Sequence, residues 1–284
     1  MNRLDATLSR LRDQNRSGLV CYFMAGDPDF DTSAKLLAQL GAAGADVIEL
    51  GLPFSDPVAD GPSIQNAHLR ARAAGQTSAR TLALVAELRR TDFTTPVVLM
   101  GYVNPVMQYG DKQFMTDAAA AGADALLLLD LPVEHAAPYR AAALAAGLRL
   151  IVMTAPTSDD ARLAEILRDA SGFVYHTTIT GTTGAASCAP EQAGAAIART
   201  RRHTRAPIAA GFGVRRPAQA RALAEHADLV VVGSQLVETL ASEGVDAALR
   251  AVRAFAEALH PNETAGAGAA AVGNVIGGKR QPQS

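Results

Sequence analysis

The chain has 284 residues, of which 49% are hydrophobic and 19% charged, with 26 basic against 28 acidic side chains. That apolar fraction excludes a globally disordered chain, and the near-balanced charge gives no overall pull toward nucleic acid or a membrane surface. Two cysteines, Cys21 and Cys188, are too few for a disulfide scaffold or a cysteine zinc site, and a reducing, cytoplasmic setting is the expectation.

The first fourteen residues read as an amphipathic helix, with Leu4, Leu8 and Leu11 at helical spacing and charges between them. This stretch lacks the continuous apolar core of a secretory signal. A unit then repeats: a short apolar run, a turn rich in Gly, Pro and Asp, and a helical stretch rich in Ala and Leu. The apolar runs lie at 19–25, 47–51, 97–101, 125–129, 150–153, 173–175, 208–210 and 229–233. They are mostly continuous rather than alternating, as expected of parallel strands covered by helices. The longest, near 123–129, falls far short of the roughly 20 residues of a membrane span. Leu82, Val85 and Leu88 show helical spacing before the third run. Ser63, Asp159 and Pro190-Glu191 read as helix starts.

Eight such units predict an α/β fold, a closed (β/α)8 TIM barrel with an extra N-terminal helix, over residues 1–260. A doubly wound open sheet would announce itself with a G-x-G-x-x-G turn, and the first run ends instead in Ala25-Gly26-Asp27-Pro28. Residues 261–284 are rich in Gly and Ala and are expected to form a disordered tail.

In such a barrel the active site lies at the C-terminal ends of the strands. Glu49 stands near the end of the second run. Strand alternation sends Ile48 and Leu50 toward the helices and Glu49 into the barrel mouth, as a catalytic group or as a structural carboxylate bonded to the next strand. The stiff segment from Pro53 through Pro62 can place Asp60 near Glu49; two carboxylates in different environments can divide acid–base and electrostatic work, or the aspartates there cap turns. Gly211-Phe212-Gly213 after the seventh run and Gly233-Ser234 after the eighth match the phosphate position of such a barrel, or serve as tight turns; Gly181-Thr182-Thr183-Gly184 is a further Gly-rich stretch after the sixth run. His68 reads as a surface or structural residue. The other histidines show no metal-ligand spacing, and no bound metal is expected.

The run Glu49-Leu50-Gly51-Leu52-Pro53-Phe54-Ser55-Asp56-Pro57-Val58-Ala59-Asp60-Gly61-Pro62-Ser63-Ile64-Gln65 closely resembles the signature of tryptophan synthase α subunits. The resemblance continues through Gly26-Asp27-Pro28, Tyr102-Val103-Asn104-Pro105, Asp130-Leu131-Pro132, Gly181-Thr182-Thr183-Gly184, Gly211-Phe212-Gly213 and Gly233-Ser234. It implies a lyase of tryptophan biosynthesis that cleaves indole-3-glycerol phosphate to indole and glyceraldehyde 3-phosphate by a retro-aldol split without a Schiff base. It implies Glu49 as acid/base and Asp60 as the group that binds the indole N–H. Tyr22, Met100, Tyr102, Tyr175, Thr183 and Phe212 would line the substrate pocket, with Thr183 closing onto Asp60. Gly184, Gly213, Gly233 and Ser234 would hold the phosphate. Pro53 and Asp56 would touch a β subunit in an α2β2 heterotetramer. The resemblance implies no cofactor on this chain, with pyridoxal phosphate on the β partner. The catalytic motif alone leaves open a stand-alone lyase that releases free indole. A non-catalytic regulatory subunit is a third reading, which the retention of both Glu49 and Asp60 disfavours.

Overall fold

A computed structural model describes residues 2–177, 190–211 and 213–260. Along the chain come α1 (Arg3–Asp13), β1 (Gly18–Met24), α2 (Phe30–Leu40), β2 (Val47–Gly51), α3 (Pro62–Ala73), α4 (Ser78–Leu88), β3 (Val97–Gly101), α5 (Val103–Tyr109) and α6 (Asp111–Ala121). There follow β4 (Ala125–Leu128), α7 (Ala136–Ala145), β5 (Arg149–Thr154), α8 (Asp160–Leu167), β6 (Val174–Thr177), α9 (Pro190–Arg201), β7 (Ile208–Gly211), α10 (Pro217–Ala224), β8 (Leu229–Val232), α11 (Ser234–Glu243) and α12 (Val245–Leu259). The strands pair in parallel and in sequence order, and β1 closes on β8. The chain is therefore the (β/α)8 barrel that the eight apolar runs predict, with α1 as the extra N-terminal helix. The expected tail from residue 261 lies outside the described residues.

Each strand splits its side chains between two apolar layers. Cys21, Phe23, Ile48, Leu50, Val97 and Leu99 face the surrounding helices. Val20, Tyr22, Val47, Val98, Met100, Leu127, Ile151, Tyr175 and Val231 fill the barrel. Leu4, Leu8 and Leu11 of α1 join this inner layer and close the barrel's lower end. Burying each contributes about 1.5–3 kcal/mol. Asn2 fixes the helix there: its Oδ1 accepts the Leu4 N–H at 2.9 Å, and its Nδ2 donates to the Asp124 carbonyl at 2.9 Å.

The lower rim carries a repeat that the sequence reading missed. Ala45-Asp46, Ala123-Asp124 and Ala227-Asp228 stand directly before β2, β4 and β8. Each aspartate accepts an N–H from the preceding strand: Leu19 at 2.9 Å, Val97 at 2.9 Å and Ile208 at 2.7 Å. Each also meets an arginine: Arg16 at 2.8 Å, Arg89 at 3.1 Å and Arg201 at 2.9 Å. Burial alone would raise the Asp46 carboxyl, but bonds from His260, Arg16 and the Leu19 N–H hold it below its ordinary value.

Two helix starts agree with the sequence reading and one does not. Asp159 caps α8 through the Arg162 N–H, and α9 opens at Pro190. The N-cap of α3 is Gly61 rather than Ser63. Proline at the first helical position is pre-set for the turn and lacks the N–H that a cap would satisfy. The Ser63 hydroxyl instead donates to Glu238 on α11.

Candidate active site

Glu49 lies on β2 between Tyr22 on β1 and Val98 on β3. Its flanking residues Ile48 and Leu50 are in the helix-facing layer, so alternation turns the carboxyl into the barrel. The residue is 1% exposed, and neither carboxylate oxygen meets a hydrogen-bond partner among the described residues. A structural carboxylate would be bonded to the next strand; among the described residues this one is not. Burial, and next the charge of Asp60, push its pKa up to about 8.

Asp60 ends the stiff loop that follows β2 and is 3% exposed. Its Oδ2 accepts the Tyr102 hydroxyl at 2.7 Å and lies 3.2 Å from His68 Nε2. Gln65 Nε2 donates to the Asp60 carbonyl at 2.8 Å, so the first turn of α3 holds the backbone as well. The turn-capping alternative fails for Asp60, because its side chain meets two distant side chains. The last turn of α3 is tied to the loop after β1 by Arg70, whose guanidinium meets buried Asp27 through two bonds of 2.7 Å.

The neighbouring aromatic groups belong to the same cluster. Burial raises the Tyr22 and Tyr175 phenols well above their ordinary values, and the charges of Asp60 and Glu49 add to both. Strand glycines make room for these rings. A Cβ on Gly51 would sit 2.4 Å from the Tyr22 hydroxyl, and one on Gly211 would sit 2.8 Å from the Tyr175 hydroxyl. Met100 is buried on the inner face of β3, opposite Gly51. Phe54 stacks near Tyr102 with ring centroids 5.2 Å apart.

The remaining expected positions fall in three groups. Gly213 takes φ +80°, a backbone state open to glycine, and Gly233 caps α11 with Ser234 as its first residue. The N–H groups of that first turn suit an anion. Thr183, Gly184 and Phe212, and with them Cys188, lie outside the described residues. On the loop after β2, Pro53 is buried within the chain while Asp56 is exposed. Of the two readings of His68, surface or structural, burial excludes the first: the residue is 2% exposed and in contact with Asp60.

The chain matches the family model described as "Tryptophan synthase alpha chain" over residues 8–265. A tryptophan synthase subunit alpha from Legionella pneumophila is 35% identical, with 92% of this chain and 99% of that chain covered and a TM-score of 0.86. A tryptophan synthase structure from Mycobacterium tuberculosis is 36% identical, with 91% and 98% covered and a TM-score of 0.85.

Proposed function

The chain belongs to the tryptophan synthase alpha-chain family, and from that premise we propose how its residues divide the work. The family reaction is a lyase step of tryptophan biosynthesis, the cleavage of indole-3-glycerol phosphate to indole and glyceraldehyde 3-phosphate.

Glu49 carries the proton in this reading. With its pKa pushed up to about 8, the carboxyl is protonated at neutral pH and can deliver its proton to C3 of the indole ring. The carboxylate so formed takes the proton of the side-chain hydroxyl as that C–O becomes the aldehyde. The electron pair of the breaking C–C bond returns to the ring, restoring neutral indole, and Glu49 is again protonated. Acid–base help of this kind contributes roughly 10²–10⁴-fold. Asp60 faces the indole N–H and stabilises positive charge on the protonated ring; the side chains that meet its carboxylate among the described residues do so at Oδ2, and Oδ1 makes that contact. The observation that carries this reading is the buried Glu49 carboxyl, without a bonded partner among the described residues and electrostatically coupled to Asp60.

Tyr22, Met100, Tyr102, Tyr175 and Phe212 form the substrate wall in this reading, and Thr183 closes onto Asp60. Gly184, Gly213, Gly233 and Ser234 hold the phosphate. The β subunit docks on the loop with Pro53 and Asp56, in an α2β2 assembly in the cytoplasm. Pyridoxal phosphate belongs to that partner, and the step on this chain uses side chains alone. The test is indole release by the purified chain with and without a β subunit. Slow release alone and strong acceleration by the partner support the reading. Fast release indifferent to the partner would make the chain a stand-alone lyase, and no release in either condition would overturn the assignment.

A further inference from the structure

We propose that His68 is a positioning residue for the Asp60 carboxylate, an inference that rests on the catalytic reading of Asp60 given above. Nδ1 of His68 lies 3.0 Å from the Phe54 backbone nitrogen and accepts its N–H. A ring nitrogen that accepts a backbone N–H carries no proton, so the proton of the neutral ring sits on Nε2. That Nε2 is the atom 3.2 Å from Asp60 Oδ2. The backbone thus selects the tautomer that donates to the carboxylate.

The placement is rigid. His68 shares the buried face of α3 with Ile64, Ala67 and Ala71, which pack into the barrel's inner layer. Phe54 and Asp60 lie toward opposite ends of the segment between β2 and α3, so one imidazole ties both parts of it to the helix. Its ring also lies edge-on to Tyr102, with centroids 6.3 Å apart. Two donors, His68 Nε2 and the Tyr102 hydroxyl, therefore converge on the same oxygen of Asp60 from different elements. His68 acts on the reaction through Asp60 and not by touching the reacting atoms, so its loss falls on kcat more than on KM.

Two amide variants separate this role from packing. An asparagine amide reaches the place of Nδ1, and a glutamine amide reaches the place of Nε2. His68→Asn keeps the acceptor for Phe54 and loses the donor to Asp60; kcat for indole release is expected to fall about tenfold or more with KM within about twofold. His68→Gln restores the donor, and kcat is expected within about threefold of the parent chain. Turnover is compared at a temperature where thermal unfolding shows every variant folded. Wild-type kcat in His68→Asn, or a His68→Gln as impaired as His68→Asn, overturns the proposal. Asp60→Asn, run in parallel, separates the two readings. If it is inactive while His68→Asn turns over normally, only the role of His68 fails. If Asp60→Asn keeps its turnover, the catalytic reading of Asp60 fails and this inference with it.

Discussion

The Tyr102 hydroxyl donates to Asp60 Oδ2 at 2.7 Å and accepts the Ala59 N–H at 3.1 Å. One phenol at the end of β3 thereby holds both the side chain of Asp60 and the backbone just before it. Burial, with the Asp60 charge and this bond adding to it, raises the phenol, so it stays an O–H donor through neutral pH. Tyr102→Phe keeps the ring and removes the donor. We expect kcat for indole release to fall about tenfold; unchanged kcat would show that Tyr102 serves only as a pocket wall.

Glu49 should be costly to the fold at neutral pH. Its folded pKa, about 8, lies above the ordinary value of 4.5, so the folded state binds a proton that the unfolded chain has lost. Stability from this group is complete below about 4.5 and is lost as pH rises through about 8. Glu49→Gln removes the titration. Denaturant unfolding should show the variant gaining on the parent chain from pH 4.5 to 8, by on the order of a few kcal/mol, with no further gain above. A difference constant with pH would refute the raised pKa.

Gly211 is required by Tyr175. An added Cβ would lie 2.8 Å from the Tyr175 hydroxyl and 2.8 Å from Val231 Cβ. Gly211→Ala is expected to cost about 1–3 kcal/mol of stability and to raise KM for indole-3-glycerol phosphate by displacing that ring. Parental KM would mean that Tyr175 does not line the substrate pocket.

Asp124 belongs to the scaffold and not to the chemistry. Its carboxylate meets Arg3 at 3.1 Å, Arg89 at 3.1 Å and the Val97 N–H at 2.9 Å, on the rim opposite the active site. Asp124→Asn leaves Arg89 largely buried without its charge partner and is expected to destabilise the chain by about 3 kcal/mol. Turnover at low temperature should remain parental; a selective loss of kcat would contradict the division between the two rims.

The barrel was legible in the sequence because parallel strands covered on both faces leave continuous apolar runs, and eight such runs need no longer-range information to count. The inward turn of Glu49 was legible too, since Ile48 and Leu50 mark the helix-facing side. His68 stayed undecided between surface and structural because a lone histidine on a helix looks the same whether it meets water or a buried carboxylate. Its partners, Phe54 and Asp60, are brought to it only by the loop's path. Ser63 was misread as a cap because its hydroxyl finds Glu238, far along the chain. The Ala-Asp pairs before β2, β4 and β8 were visible but unremarked, since a single aspartate before a strand reads as an ordinary turn residue until its bonds to the neighbouring strand are seen.

The central claim is that Glu49 moves the proton. It is tested most directly by indole release from indole-3-glycerol phosphate by Glu49→Gln and the parent chain, both with a β subunit, alongside substrate binding. Glutamine keeps the shape and removes the titrating proton. The account predicts turnover below a few per cent of the parent with substrate binding largely intact; turnover well above that level would contradict it.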